Sequence, residues 1–143
     1  MSSYTCTRRF QFCTGHRVHL HESKCRNLHG HNYVAYVTVE HDQGVLDPLG
    51  RVVDFGVLKE IIGHWIDTFW DHRCVLFTED TEAIEAVAKI NAGCVYQMRS
   101  NPTAENMAEE LFNVATDLLA SKRLRVVKVV LYETENCYAE FSR

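Results

Sequence analysis

The amino-acid sequence predicts an α+β domain, an antiparallel β-sheet with two helices laid on one of its faces. Period-two alternation of apolar and polar residues recurs near both ends of the chain, the signature of strands with two different faces. Two stretches between them carry apolar residues at helical spacing behind well-suited N-caps. The strands also come in runs, before the first helix and after the last, rather than alternating regularly with helices.

The first run is residues 5–17, where Phe10, Phe12, Thr14 and His16 share one face and Gln11, Cys13 and Gly15 the other. A second strand spans 30–42. It leads through turn chemistry at Asp42-Gln43-Gly44 and Asp47-Pro48-Leu49-Gly50 into a short extended piece at 51–53. Asp54 then caps a helix whose stripe is Leu58, Ile61, Ile62, Trp65, Ile66 and Phe69. After a short strand, Pro102-Thr103 opens a second helix with Thr103 as N-cap, Glu105 in its first turn, and Met107, Leu111, Val114, Ala115 and Leu118 as its stripe. Residues 125–134 and 138–141 read as closing strands.

With 143 residues, no internal repeat and no linker, the chain reads as a single domain over 1–143, long enough for a true core. Hydrophobic residues make up 46%, ordinary for a globular protein, and the net charge of −4 gives no electrostatic case for a nucleic-acid or membrane partner. The first residues lack an apolar signal region, and no run approaches ~18 apolar residues, so a cytoplasmic protein is expected. The six cysteines are scattered without a C-x-x-C pair and are expected to be free thiols in a reducing compartment. In strand 31–40, Tyr33, Ala35, Val37 and Val39 form one apolar set, while Val34 and Tyr36 face the other way. Two helices cover only one face of a sheet, so the other is expected to meet further subunits.

The densest chemistry lies in Cys25-Arg26-Asn27-Leu28-His29-Gly30-His31. On an extended segment His29 and His31 point to the same side, two imidazoles that make half of a metal site. His16 is the best third ligand, with His19 and His21 as competitors. Three imidazoles leave one tetrahedral position open, which suits catalytic zinc. Two other readings fit the same residues: turn or surface histidines, and a closed structural site in which Cys25 is the fourth ligand.

Residues 22–31 resemble the active-site loop of the 6-pyruvoyl-tetrahydropterin synthase superfamily, and within it the 6-carboxy-5,6,7,8-tetrahydropterin synthase branch. Further motifs match in order: Phe12-Cys13-Thr14-Gly15-His16-Arg17, Val53-Asp54-Phe55 with Leu58-Lys59, Asp71-His72, Pro102-Thr103-Ala104-Glu105-Asn106 and Tyr132-Glu133-Thr134. Together they span nearly the whole chain. The three-residue spacing between Cys25 and His29 matches the carboxy-forming branch, since the pyruvoyl-forming one typically has a longer insert there. Two departures accompany the match: the small pair before the first histidine is here Thr14-Gly15, both still small, and Arg73-Cys74 follows Asp71-His72 where many relatives carry an asparagine shortly after, which alters the pocket wall and leaves the dyad in place.

The resemblance implies a tunnelling fold, with sheets closing into a β-barrel of three subunits that stacks into a homohexamer with pockets between subunits. It implies zinc on His16, His29 and His31, bound to the side-chain hydroxyls of a dihydropterin triphosphate. Cys25 would be the general base, a role a thiol takes near neutral pH only where positive charge favours the thiolate. Asp71 would orient His72, and His72 would relay protons. Glu133 would hold the amino-pyrimidine edge of the pterin, whose two parallel N–H donors suit one carboxylate, and join the proton relay. Thr103 and Glu105 are sufficiently explained by helix capping.

The reaction so implied converts 7,8-dihydroneopterin triphosphate to 6-carboxytetrahydropterin, acetaldehyde and triphosphate, on the route to queuosine and related 7-deazapurines. The alternatives are 6-pyruvoyl-tetrahydropterin formation from the same substrate, and a non-catalytic zinc-stabilised assembly module. Side-chain cleavage toward folate fits less well, because that branch usually replaces the cysteine.

Overall fold

The computed structural model describes residues 3–143. One six-stranded sheet organises them, with β1 at Cys6–His16, β2 at His29–His41, β3 at Arg73–Phe77, β4 at Val95–Met98, β5 at Leu124–Thr134 and β6 at Cys137–Ser142, in spatial order β4-β3-β1-β2-β5-β6. The β1-β2-β5-β6 portion is antiparallel, as expected, while β3 joins β1 and β4 joins β3 in parallel. The sheet is therefore mixed.

The first predicted helix is a continuous run of α1 (Phe55–Leu58), a π-helical stretch (Lys59–Gly63) and α2 (His64–Phe69). Asp54 caps it by accepting the Gly56 N–H at 2.7 Å. Leu58, Ile62, Ile66 and Trp70 are its buried residues, whereas Phe69 is exposed. Steps of four drift about 40° each around an ideal α-helix. The wider π turn absorbs that drift, so Trp70 replaces Phe69 in the core.

The second predicted helix is α4 (Ala104–Leu119), capped by Thr103, whose hydroxyl accepts the Asn106 N–H. It buries Met107, Leu111 and Ala115 as expected, with Leu119 inward in place of Leu118. These helices and the inward faces of β1, β2 and β5 enclose the main core, including Phe12, Tyr33, Val37, Val129 and Leu131. Residues 51–53 form no strand. They close a turn in which the Asp47 carboxylate takes the Leu49 and Arg51 N–H groups and the Arg51 guanidinium, with Gly50 at φ 86°.

A third helix, α3 (Thr81–Ile90), links β3 to β4 and was not expected. Cys74 and Leu76 point away from Val75, and they form a separate apolar cluster with Ala83 and Val87 of α3. The helix thus covers the β3 end of the second sheet face. Farther along that face, Val34, Tyr36, Val130 and Tyr132 are half-buried and Tyr138 is exposed. Val34, Tyr36 and Tyr132, with Arg9 and Asn32 on the same face, border a cleft of about 720 Å³. Among the described residues no helix is long and apolar enough to cross a membrane. All six cysteines are free thiols, from buried Cys74 to exposed Cys13 and Cys137.

Candidate metal centre and its surroundings

Strand pairing assembles the centre. His16 lies directly across from His29 and Thr14 across from His31, so all three imidazoles emerge on the helix-covered face at one end of the β1-β2 pair. One ring nitrogen from each of His16, His29 and His31 lies within 4.8 Å of the others. The close approach of the strands is tight at Gly30, where an added Cβ would sit 3.2 Å from the Thr14 carbonyl oxygen.

The hydrogen bonds determine which nitrogens face inward. His16 Nδ1 lies 2.7 Å from the Pro102 carbonyl, and His29 Nδ1 lies 2.6 Å from the Asn27 carbonyl. A carbonyl only accepts, so both Nδ1 atoms carry the proton and both Nε2 atoms present lone pairs. Those two Nε2 atoms face each other at 3.2 Å, an unfavourable arrangement unless something electropositive lies against both. His31 Nε2 is buried with no hydrogen-bond partner. Metal-binding histidines characteristically donate their other N–H to a carbonyl in this way. The three residues therefore fit a metal ion.

Burial, reinforced by the neighbouring imidazoles, lowers the pKa of His16 to about 4, and burial also lowers that of His31. At neutral pH both are held in the uncharged form that metal binding requires. Glu133 reaches the same place from β5, its Oε1 3.6 Å from His16 Nε2 and 3.9 Å from His31 Nε2. Its negative charge approaches two of the three candidate ligands.

The competing histidines lie elsewhere. His19 Nδ1 is 3.5 Å from Asp80, and His21 Nδ1 accepts the Ser23 N–H. Cys25 sits in a 3₁₀ turn, Lys24–Arg26, within the loop that leaves His16 and returns at His29. Its carbonyl accepts the Val18 N–H at 2.9 Å, but its thiol is not part of the three-histidine cluster.

Asp71 and His72 are brought together, with Asp71 Oδ1 3.1 Å from His72 Nδ1. Both dock on Cys13: its N–H donates to Asp71 Oδ1, and its carbonyl accepts the His72 N–H. His72 adopts a left-handed conformation (φ 59°) and its side chain is 79% exposed. Among the described residues no hydrogen bond or ion pair joins either residue to Cys25 or to the three histidines. Within one subunit His72 lines one cleft with His29 and another with His31, without a direct bond to either ring.

Sequence reasoning missed the residues that hold the 17–28 loop. Asn101 receives the His19 N–H at 2.8 Å and donates to the His19 carbonyl at 3.1 Å. Asp80, fully buried, accepts Arg17 Nε and Nη2 at 2.6 and 2.5 Å and also caps α3 through the Ala83 N–H. That cap signal, an aspartate ahead of Ala83, Ile84 and Val87, was available in the sequence.

The Arg17 guanidinium holds Asp80 below the usual carboxylate range. A depressed folded-state pKa contributes stability that is present above about pH 4 and lost as pH falls through the folded value. Asp80→Ala strands a partly buried guanidinium and removes a cap. Urea denaturation at pH 7 should then show a loss of about 3 kcal/mol, a difference that shrinks below pH 4. A loss under 0.5 kcal/mol at pH 7 would make the pair a mere surface contact.

A family model described as 6-pyruvoyl tetrahydropterin synthase matches residues 5–143. A Rickettsia typhi protein named 6-carboxy-5,6,7,8-tetrahydropterin synthase is 40% identical over 136 residues, covering 94% of this chain and 97% of its own. The solved structure of Caenorhabditis elegans 6-pyruvoyl tetrahydropterin synthase superposes with a TM-score of 0.72 at 26% identity, covering 100% of this chain and 97% of that one. An uncharacterized protein from Wolinella succinogenes shares the fold with a TM-score of 0.82 at 23% identity, covering 98% of each chain.

Proposed function

The chain belongs to the 6-pyruvoyl tetrahydropterin synthase family, and from that footing we propose that it is a zinc-dependent 6-carboxy-5,6,7,8-tetrahydropterin synthase. Its substrate would be 7,8-dihydroneopterin triphosphate, and its products 6-carboxytetrahydropterin, acetaldehyde and triphosphate, with one water consumed. This chemistry belongs to the route to queuosine and related 7-deazapurines. The observation that carries the reading is the donor set: two Nε2 lone pairs facing each other at 3.2 Å and a third, buried Nε2 without a partner. The choice of branch is supported by the name of the Rickettsia typhi relative at 40% identity.

A zinc ion on His16, His29 and His31 would supply Lewis acidity to the side-chain hydroxyls of the substrate. Cys25 takes a proton from the substrate side chain, from the loop that joins two of the ligands. Glu133 accepts the paired N–H donors of the amino-pyrimidine edge. Asp71 accepts from His72 Nδ1, which leaves Nε2 of that ring to exchange protons.

His72 is largely exposed and lines clefts beside His29 and His31, and in this reading the dyad completes a pocket shared between subunits. The half-buried Val34, Tyr36, Val130 and Tyr132 supply the contact face of a homohexamer, or of the trimer from which it is stacked. A second reading, formation of 6-pyruvoyl-tetrahydropterin, is favoured by the likeness to the Caenorhabditis elegans structure. It uses the same residues.

Mass spectrometry of the product from zinc-loaded protein and 7,8-dihydroneopterin triphosphate tests the assignment. We expect a carboxylated tetrahydropterin together with acetaldehyde. A pyruvoyl product selects the second reading. No turnover by the fully metallated oligomer would make the protein a zinc-stabilised assembly module.

A further inference from the structure

Two cysteines with no part in the three-histidine cluster, Cys74 and Cys94, come together where β3 pairs with β4. Cys74 lies across from Val95 in the parallel ladder, and Cys94 is the residue before Val95. With strands about 4.8 Å apart and a rise of about 3.3 Å per residue, that register sets the two Cα atoms about 6 Å apart. Disulfide-bonded pairs most often have this separation. Direction agrees with distance. Cys94 ends the 3₁₀ turn Ala92–Cys94, so its side chain is free of strand alternation, and it packs on the same apolar cluster as Cys74. Both cysteines line one cleft of about 340 Å³, against Val87 and Ile90 of α3.

The backbone around the pair is already held. The Arg73 guanidinium donates to the Gly93 carbonyl, which ties together the residues immediately before the two cysteines. The Cys94 N–H donates to the Asn91 carbonyl at 3.0 Å, and the Asn91 side chain accepts the Gly93 N–H. The two thiols differ in access. Cys94 is half-buried, with its Sγ 3.8 Å from the His72 carbonyl, whereas Cys74 is buried. Burial, reinforced by Cys94, pushes the Cys74 thiol up to about 11. A protonated, buried thiol is a poor first target for an oxidant, so the more accessible Cys94 reacts first.

We propose that Cys74 and Cys94 form a reversible dithiol site, closed to a disulfide by hydrogen peroxide and reopened by a thiol reductant. The thiolate of Cys94 attacks one peroxide oxygen, the O–O bond breaks, and the departing hydroxide leaves as water with the proton of that thiol. The resulting Cys94 sulfenic acid is attacked by the sulfur of Cys74. The S–O bond breaks, and its hydroxide leaves as a second water with the Cys74 proton. The two sulfurs together lose two electrons and peroxide gains them. In a reducing compartment such a bond is transient, which suits a sensor of peroxide rather than a permanent staple. The bond takes the hydrogen that Cys94 offers the His72 carbonyl, and it joins β3 to the start of β4 on the wall of the cleft that His29 and His72 also border. The site stands independently of the synthase reading.

Peptide mapping tests it, because trypsin leaves the two thiols in different fragments, 74–89 and 90–99, each with a single cysteine. Zinc-loaded, full-length protein is treated with hydrogen peroxide, blocked with iodoacetamide without reductant, and digested. We expect the two fragments joined with the loss of two hydrogens, and separated again by dithiothreitol. Cys94→Ser should lose the joined species entirely. Cys74→Ala should leave a sulfenic acid on Cys94, captured by dimedone, because attack by peroxide does not need the partner. Circular dichroism checks that both variants fold, and Cys94→Ser, at a half-buried position, tests the pair even if Cys74→Ala does not. Both fragments recovered as alkylated thiols at a peroxide dose that oxidises exposed Cys13 would overturn the site. So would Cys94 joined to Cys25 or to a cysteine of another chain. A dimedone adduct on Cys74 in Cys94→Ser would overturn the assigned order of attack.

Discussion

His16→Ala is expected to purify without zinc and without turnover. His16 is 1% exposed, its Nδ1 is committed to the Pro102 carbonyl, and its Nε2 lies 3.2 Å from His29 Nε2, so it is the most rigidly held member of the trio. Changing a residue that only orients a metal ligand typically costs 10–100-fold in affinity. Removal of the ligand itself should therefore cost more than about 100-fold, which releases zinc to a competing chelator. His19→Ala and His21→Ala serve as controls, because neither ring belongs to the cluster, and both should retain a full equivalent of metal. Metal analysis of the three variants after chelator challenge, with circular dichroism to show that each is folded, reads the result directly. Full zinc in His16→Ala would remove the centre from this position.

The geometry behind that expectation was legible in the sequence because strands have a period of two. His29 and His31 had to share a face, and His16, on the first strand, was the best candidate for the third ligand. What the sequence left open was the choice among His16, His19 and His21, since only the register of β1 on β2 places one of them on the shared face. Helices capped by Asp54 and Thr103 were readable for a similar reason: the cap and the apolar stripe act locally. Their last inward residues were not. Trp70 displaced Phe69 through a π turn, a feature of backbone geometry that side-chain spacing does not encode.

One short strand was expected between the two helices where the structure has two, β3 and β4, and their parallel pairing escaped notice because they are short and pair with segments distant in sequence. Helix α3 was different, since its aspartate cap and apolar spacing were present and went unused. The docking of Asp71 and His72 on Cys13 was beyond reach of any pattern. It depends on which sheet edge receives β3, and adjacent motifs in a list of likenesses carry no such information. The same holds for Asp80 and Asn101, whose partners Arg17 and His19 are more than sixty residues away along the chain.

Cys25→Ala is expected to do the opposite of His16→Ala: zinc and assembly stay, and turnover goes. The thiol lies outside the three-histidine cluster, and what ties its loop in place is backbone and distant side chains, namely the Cys25 carbonyl to Val18, Asn101 to His19 and Asp80 to Arg17. None of these bonds uses the sulfur, so alanine should leave the loop closed. The lost contribution is that of a positioned base, which is worth roughly 10²–10⁴-fold in rate. The decrease should appear in kcat, with substrate affinity nearly unchanged, because Glu133, the proposed pterin anchor, remains. Single-turnover kinetics on the metallated variant, alongside metal analysis and sizing of the oligomer, separates the two roles a thiol could play here. If Cys25→Ala sheds its zinc or dissociates, the sulfur is a fourth ligand and the site is structural. If it keeps zinc and keeps its rate, the proton leaves by another group, and the exposed His72 of a neighbouring subunit becomes the residue to substitute next.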